Sequence, residues 1–165
     1  MKVLVACHAR APMTRVVADE VATVLGADVD LIIPRRTTDG FVGWLRSTYE
    51  TTFDCATDVV APARNLDTYD VIIIGSPAWR GAVASPVRTY IERQRVRLRT
   101  IALFTTCDDG GGDRAVDEMT ALCRRAPLAR LVVREPELRS GQAHVHIMDF
   151  ARRITARASR RPAAA

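Results

Sequence analysis

Apolar residues in this chain fall into short blocks with two different periods. Val71-Ile72-Ile73-Ile74 is a continuous β-branched run closed by Gly75-Ser76-Pro77. Lys2 to Cys7, Thr100 to Thr105 and Leu128 to Val133 are blocks of similar character, and Asp28 to Ile33 alternates before turning fully apolar and stopping at Pro34. Strands apolar on both faces belong inside a parallel sheet that is covered on both sides. Between them the spacing becomes helical. Within Thr14 to Leu25, Val17, Val21, Val24 and Leu25 share one face, Arg15, Asp19 and Thr23 the other, and Gly26 marks the stop.

Ser85-Pro86 opens a second helix running to about Arg93, with serine as the expected cap and proline at the first position. Asp113 to Arg124 places Val116, Met119, Leu122 and Cys123 on one face, and Ala143 to Ala158 turns Met148, Ala151 and Ile154 inward. Phe41 to Tyr49 predicts a short amphipathic helix with Trp44 and Leu45 inward. Thr51 to Asp67 carries no clear period and predicts a connection.

Strands alternating with helices at this spacing form parallel crossovers. The expected fold is α/β: a doubly wound, five-stranded parallel sheet in the order 2-1-3-4-5, one domain over residues 1–158, with a basic tail at 159–165 that frays. Ligands of such sheets sit beyond the carboxyl ends of the strands, at the point where the order reverses. The loops at 8–14, 76–84 and 105–112 therefore converge on any ligand.

The net charge of +5 invites a nucleic-acid reading, which its distribution along the chain removes. Five of the 24 basic residues (Arg152, Arg153, Arg157, Arg160 and Arg161) lie beyond residue 150 with no acid among them, so the other 19 balance the 19 acids. The folded body therefore has no net electrostatic case for nucleic acid, and the arginine tail is expected to be a solvated extension. No apolar run suits a membrane helix, and Val3 to Cys7 is too short for a signal-peptide core. The four cysteines (Cys7, Cys55, Cys107 and Cys123) form no C-x-x-C pair. Reduced thiols in the cytoplasm are the expectation.

Several chemistries of this topology leave marks that are missing here. A phosphate-accepting receiver needs acids after the first strand and an aspartate closing the third, where Ala6-Cys7 and Gly75-Ser76 stand. A C-x5-R phosphatase loop fails because Met13 occupies the arginine position after Cys7. The motifs G-x-x-x-x-G-K-[ST] and G-x-G-x-x-G are both absent. His144 and His146, two apart, do not share a helical face. They are expected at the surface, as are Arg35-Arg36, and Asp108-Asp109 is expected to be a turn with no metal.

Three segments carry a family likeness: YDVIIIGSPAWRGAVASPVRTYIE from Tyr69, GWLRSTYETTF from Gly43, and IALFTTCDDGGG from Ile101. With them the chain resembles the flavodoxin family over about residues 2–153, and within it the small bacterial flavodoxin-like proteins. The resemblance implies FMN as cofactor. Ala9, Arg10, Ala11, Pro12, Met13 and Thr14 would form the phosphate loop. Trp79 would lie near the isoalloxazine ring with Ser76, Pro77, Ala78 and Gly81 shaping its loop, and Thr106, Cys107, Asp108 and Gly110 would form the other wall.

The phosphate loop departs from the family pattern [ST]-x-T-G-x-T, keeping only Thr14. Two hydroxyls have become methyl groups, and Pro12 removes both a backbone N–H and the freedom of glycine. Hydrogen bonds to a charged group contribute about 1.5–3 kcal/mol each, so losing three weakens FMN by about 4 kcal/mol or more, roughly a thousandfold. Arg10 and the start of the helix at Thr14 would restore part of that.

Two functions follow as expectations. One is an FMN-dependent redox protein, carrying electrons or passing hydride from a nicotinamide donor to a small acceptor such as a quinone. The other is a cofactor-free binding module on the same fold. No side chain is singled out as a general acid or base, and the resemblance leaves a homodimer open.

Overall fold

The computed structural model describes residues 1–8, 10–35, 58–108 and 110–160. Its elements are β1 (Val3–Cys7), α1 (Pro12–Leu25), β2 (Asp28–Leu31), β3 (Val71–Trp79), β4 (Ala82–Val83), α2 (Ser85–Gln94), β5 (Ile101–Cys107), α3 (Gly112–Cys123), β6 (Arg130–Arg134), α4 (Glu135–Ser140) and α5 (Gln142–Ala158). The sheet runs β2-β1-β3-β5-β6, every neighbouring pair parallel. Leaving aside the two-residue β4, this is the expected order 2-1-3-4-5. The helix expected at Phe41 to Tyr49 lies outside the described residues, as does the part of the expected connection Thr51 to Asp67 that precedes Asp58.

The β-branched run owes its composition to the two faces of β3. Ile72 and Ile74 enter one core, with Leu4, Leu103, and Val87, Tyr90 and Ile91 of α2 and Ala115 and Met119 of α3. Val71 and Ile73 enter the other, with Val5, Phe104, and Val17 and Val21 of α1 and Ile147, Phe150 and Ile154 of α5. Successive side chains point to opposite faces, so a strand covered by helices on both sides has no polar position to spare. Gly26 ends α1 in the left-handed conformation (φ 59°), its N–H returning to Ala22 O and Thr23 O.

Three local details depart from the sequence reading. Ser85 is the first residue of α2 and not its cap; Ala84 holds that place with no side-chain cap. The stretch after Ile74, expected to be a loop, continues as strand to Trp79 and folds back through β4 as a hairpin, with Ala78 opposite Val83 and Trp79 opposite Ala82. The short helix α4 was not anticipated. It starts at Glu135-Pro136, and Glu137 Oε2 accepts the Arg134 N–H at 2.8 Å, so the proline in its first turn was the available signal.

Gly75 and Phe104 are register partners on β3 and β5. A Cβ on Gly75 would stand 2.0 Å from Phe104 Cζ, inside the ring's van der Waals volume. Gly75→Ala is expected to cost about 1–3 kcal/mol by overpacking a closed core, read as a lower urea midpoint with unchanged slope.

Candidate functional site

The loops leaving β1, β3 and β5 meet at the carboxyl edge of the sheet. From β1, His8 sits 5% exposed with its N–H bonded to Gly75 O at 3.2 Å, which ties this loop to β3. Its Nδ1–H donates to Ile32 O at 2.9 Å. A carbonyl only accepts, so Nδ1 carries the proton and Nε2 of the neutral ring is an acceptor. Burial lowers the His8 pKa, the Ile32 carbonyl opposes that, and Arg10 adds to the lowering.

The expected phosphate loop then turns into α1, with Ala11 as an N-cap that supplies no side-chain bond, Pro12 in the first turn and no acid there. Thr14 N–H closes on Ala11 O at 3.1 Å. Arg10 is exposed and makes no ion pair among the described residues. Ala9 lies outside them, and Met13 is half-buried. Thr14, the one residue that keeps the family pattern, is fully buried, and its hydroxyl lies 2.7 Å from that of Thr106 on β5. One hydroxyl hydrogen lies in that bond, leaving a single further donor for both threonines.

On the other side, Trp79 ends β3 at 40% exposure, an indole presented to solvent beside the switch point. Ser76 is buried and shapes the hairpin: its hydroxyl donates to Pro77 O at 2.8 Å and accepts the Ala84 N–H at 3.2 Å. Pro77 is buried, and Ala78 packs into the core beneath α2 and α3. Gly81 takes φ 78° and faces Gly111 (φ 80°) so closely that a Cβ on Gly111 would stand 2.6 Å from Gly81 Cα. These two backbones meet because neither residue has a side chain. Gly110, the expected wall residue, has open space around it. The glycine that locks the loops is its neighbour, and a run of three glycines cannot reveal which one packs. Asp108 is exposed, whereas Cys107 is 2% exposed and its sulfur belongs to the core under α3. Burial pushes the Cys107 thiol up, against a backbone hydrogen bond from Gly112. Burial raises Cys7 and Cys123 to about 12. These three thiols are protonated packing groups at neutral pH.

Sequence reasoning also missed Glu118. Its Oε2 accepts the Val83 N–H at 3.1 Å and its Oε1 pairs with Arg88, so α3 holds the return strand of the Trp79 hairpin against α2. The partner is a backbone amide, which leaves no sequence signal. A groove of about 720 Å³ lies elsewhere, between β6 and α5 beside Val132, Val145 and Phe150, remote from the three loops.

An uncapped helix amino terminus, an arginine without an ion pair among the described residues and an exposed indole stand at the switch point of a 2-1-3-type sheet, the arrangement of a flavodoxin-like α/β protein. The flavodoxin family profile matches residues 2–135. The chain belongs to the flavodoxin family. No curated protein matches it.

Among solved structures, it is similar to a flavoprotein of Lactobacillus acidophilus NCFM in complex with FMN, at 17% identity over 84% of this chain and 97% of the other, with a TM-score of 0.63. A candidate flavoprotein of Bacteroides uniformis ATCC 8492 shares 19% identity over 92% and 97%, TM-score 0.69. The WrbA-like flavodoxin of Agrobacterium tumefaciens shares 15% over 97% and 99%, TM-score 0.61.

Two outcomes test this geometry. Thr14→Val leaves the buried Thr106 hydroxyl without its partner and is expected to cost about 1–3 kcal/mol, with Thr14→Val/Thr106→Val recovering most of it in a denaturation cycle. For His8 the folded pKa lies below the unfolded one, so the unfolded chain binds more protons as pH falls below about 6.5. Stability should fall on acidification through that range, less steeply in His8→Asn, whose amide can still donate to Ile32 O.

Proposed function

We propose that this protein binds FMN at the meeting point of its three loops and uses it in electron transfer or in nicotinamide-dependent reduction of a small acceptor such as a quinone. The observation that carries the reading is the pairing, at one switch point, of an uncapped α1 amino terminus with the exposed Trp79 one strand away.

The residues fit the group unequally at its two ends. For the phosphate, the positive end of α1 and Arg10 supply charge, and the Thr14–Thr106 pair supplies one spare hydroxyl hydrogen. Ala11 and Pro12 supply no donor from a side chain or from the proline nitrogen. For the ring, Trp79 offers a π-face, and the Gly81–Gly111 contact fixes the two loops that would border it. Bound flavin supplies the redox chemistry, and the chain supplies position, polarity and exclusion of water. Affinity is expected to be below that of family members with the intact loop. Ser76, Cys107 and Glu118 would act on the site from behind, by holding loop shape, and Asp108 would border its open side.

The loop chemistry also supports a second reading, a cofactor-free binding module, because Pro12 and the engaged Thr14 hydroxyl remove donors that a phosphate uses. Loop variants separate the two. Trp79→Ala is expected to weaken FMN on the order of tenfold. The triple variant Ala9→Ser/Ala11→Thr/Pro12→Gly should tighten it by at least tenfold, measured by quenching of flavin fluorescence. If neither change moves the affinity, the ring and phosphate assignments are wrong and the module reading stands.

A further inference from the structure

The charges that balance along the sequence are segregated in space. Helices of a doubly wound sheet run back from the carboxyl edge to the amino edge, so α2, α3 and α5 all end at the edge opposite the three loops. Hydrogen bonds fix those endings to the sheet: Ile72 N–H to Thr100 O at 3.0 Å, Leu128 N–H to Ile101 O at 2.7 Å, and Arg157 Nη1 to Leu128 O at 2.6 Å. Gathered there are Arg95 and Arg99 after α2, Arg124 and Arg125 after α3, and Arg160 after α5. Arg95 is half-buried and the other four are exposed. None of the five makes an ion pair among the described residues.

Three of the described acids of that edge are already engaged. Asp28 lies 3.3 Å from Arg64, Asp67 lies 3.5 Å from Arg97, and Asp70 accepts the Lys2 N–H at 2.6 Å and lies 3.9 Å from the terminal amine. Glu92, in the last turn of α2, is the one acid there without a partner among the described residues. Arg95 and Arg124 cap their helices and complement the negative end of each dipole. Arg99, Arg125 and Arg160 lie beyond the caps, where that local service ends. Val96 projects between Arg95 and Arg97 at 84% exposure, an apolar tip in a cationic field.

We propose that this edge docks the protein on an anionic lipid bilayer as a peripheral contact. The charge is complementary to a negative leaflet, and a diffuse array of guanidinium groups suits a surface of mobile headgroups. Val96 distinguishes this partner from nucleic acid, because an apolar tip gains contact in the interfacial layer and none along a phosphate backbone. Among the described residues, stacking of bases has no platform at this edge, since Tyr69 is half-buried under Lys2 Nζ, which lies 4.6 Å from its ring centroid. Docked this way, the protein turns the three loops toward bulk solvent, where a small ligand and a soluble donor reach them.

The test is co-sedimentation of the full chain with vesicles of phosphatidylglycerol and phosphatidylcholine, against phosphatidylcholine alone, at about 0.1 M salt. Binding should require the anionic lipid and weaken as salt rises. Each arginine near such a surface contributes about fivefold, so Arg95→Gln/Arg124→Asn/Arg125→Gln should lose on the order of 100-fold. Asparagine at 124 tolerates the left-handed backbone found there (φ 51°), and circular dichroism verifies the fold. Arg15→Gln/Arg139→Gln/Arg152→Gln removes the same formal charge elsewhere and should bind like the parent. Val96→Ser should weaken vesicle binding while leaving any residual binding to duplex DNA unchanged. No binding to anionic vesicles, equal loss in both triple variants, or tighter binding to duplex DNA than to vesicles would each overturn the proposal.

Discussion

The parallel pairing of β3 with β1 on one side and β5 on the other constrains everything else in this protein. Its register aligns Ile72, Ile73 and Ile74 with Leu4, Val5 and Ala6 and with Ile101, Ala102 and Leu103. Both faces of the strand are buried, so its side chains must be apolar and stiff, and helices must cover both faces: α1, which follows β1, lies on one and α2, which follows the β3 hairpin, on the other. Where α1 and α2 diverge, no described helix covers the carboxyl edge of the sheet. The switch point is therefore a consequence of the pairing order, and whichever residues end β1, β3 and β5 border it.

Those residues are bound to one another as much as they are offered to a ligand. Thr14 meets Thr106 across the sheet, Gly81 meets Gly111 between loops, and Ser76 and Glu118 hold the hairpin that displays Trp79. Such contacts keep the site in one shape before any ligand arrives, which lowers the ordering cost of binding. They also consume donors. With FMN bound as proposed, the ring end would be well formed, and the phosphate end would rely on the α1 amino terminus and Arg10 more than on hydroxyl groups.

The fold was largely legible because its causes are periodic: β-branched blocks, helical faces and Gly26 translate directly into strands, helices and a stop. What was not legible depends on distant partners. The hairpin at Ala82–Val83 forms because Trp79 and Ala78 find antiparallel partners in the two residues that follow Gly81, too short a pattern for periodicity to register. Thr14 looked like a ligand donor by motif, and only the arrival of β5 shows that its hydroxyl is already engaged. Gly111, and not Gly110, takes the close contact, and nothing within CDDGGG distinguishes them. Charge behaved likewise: the count along the sequence shows a neutral body over residues 1–150, while the return of α2, α3 and α5 to one edge gathers Arg95, Arg99, Arg124 and Arg125 of that body with Arg160 beyond it.

The most direct test of the central claim is a titration of purified protein into FMN, followed by quenching of flavin fluorescence, with riboflavin in parallel. Saturable binding of FMN, with riboflavin bound more weakly, is the predicted result, because the α1 terminus and Arg10 can act only on a phosphate. The absence of FMN binding would contradict the account.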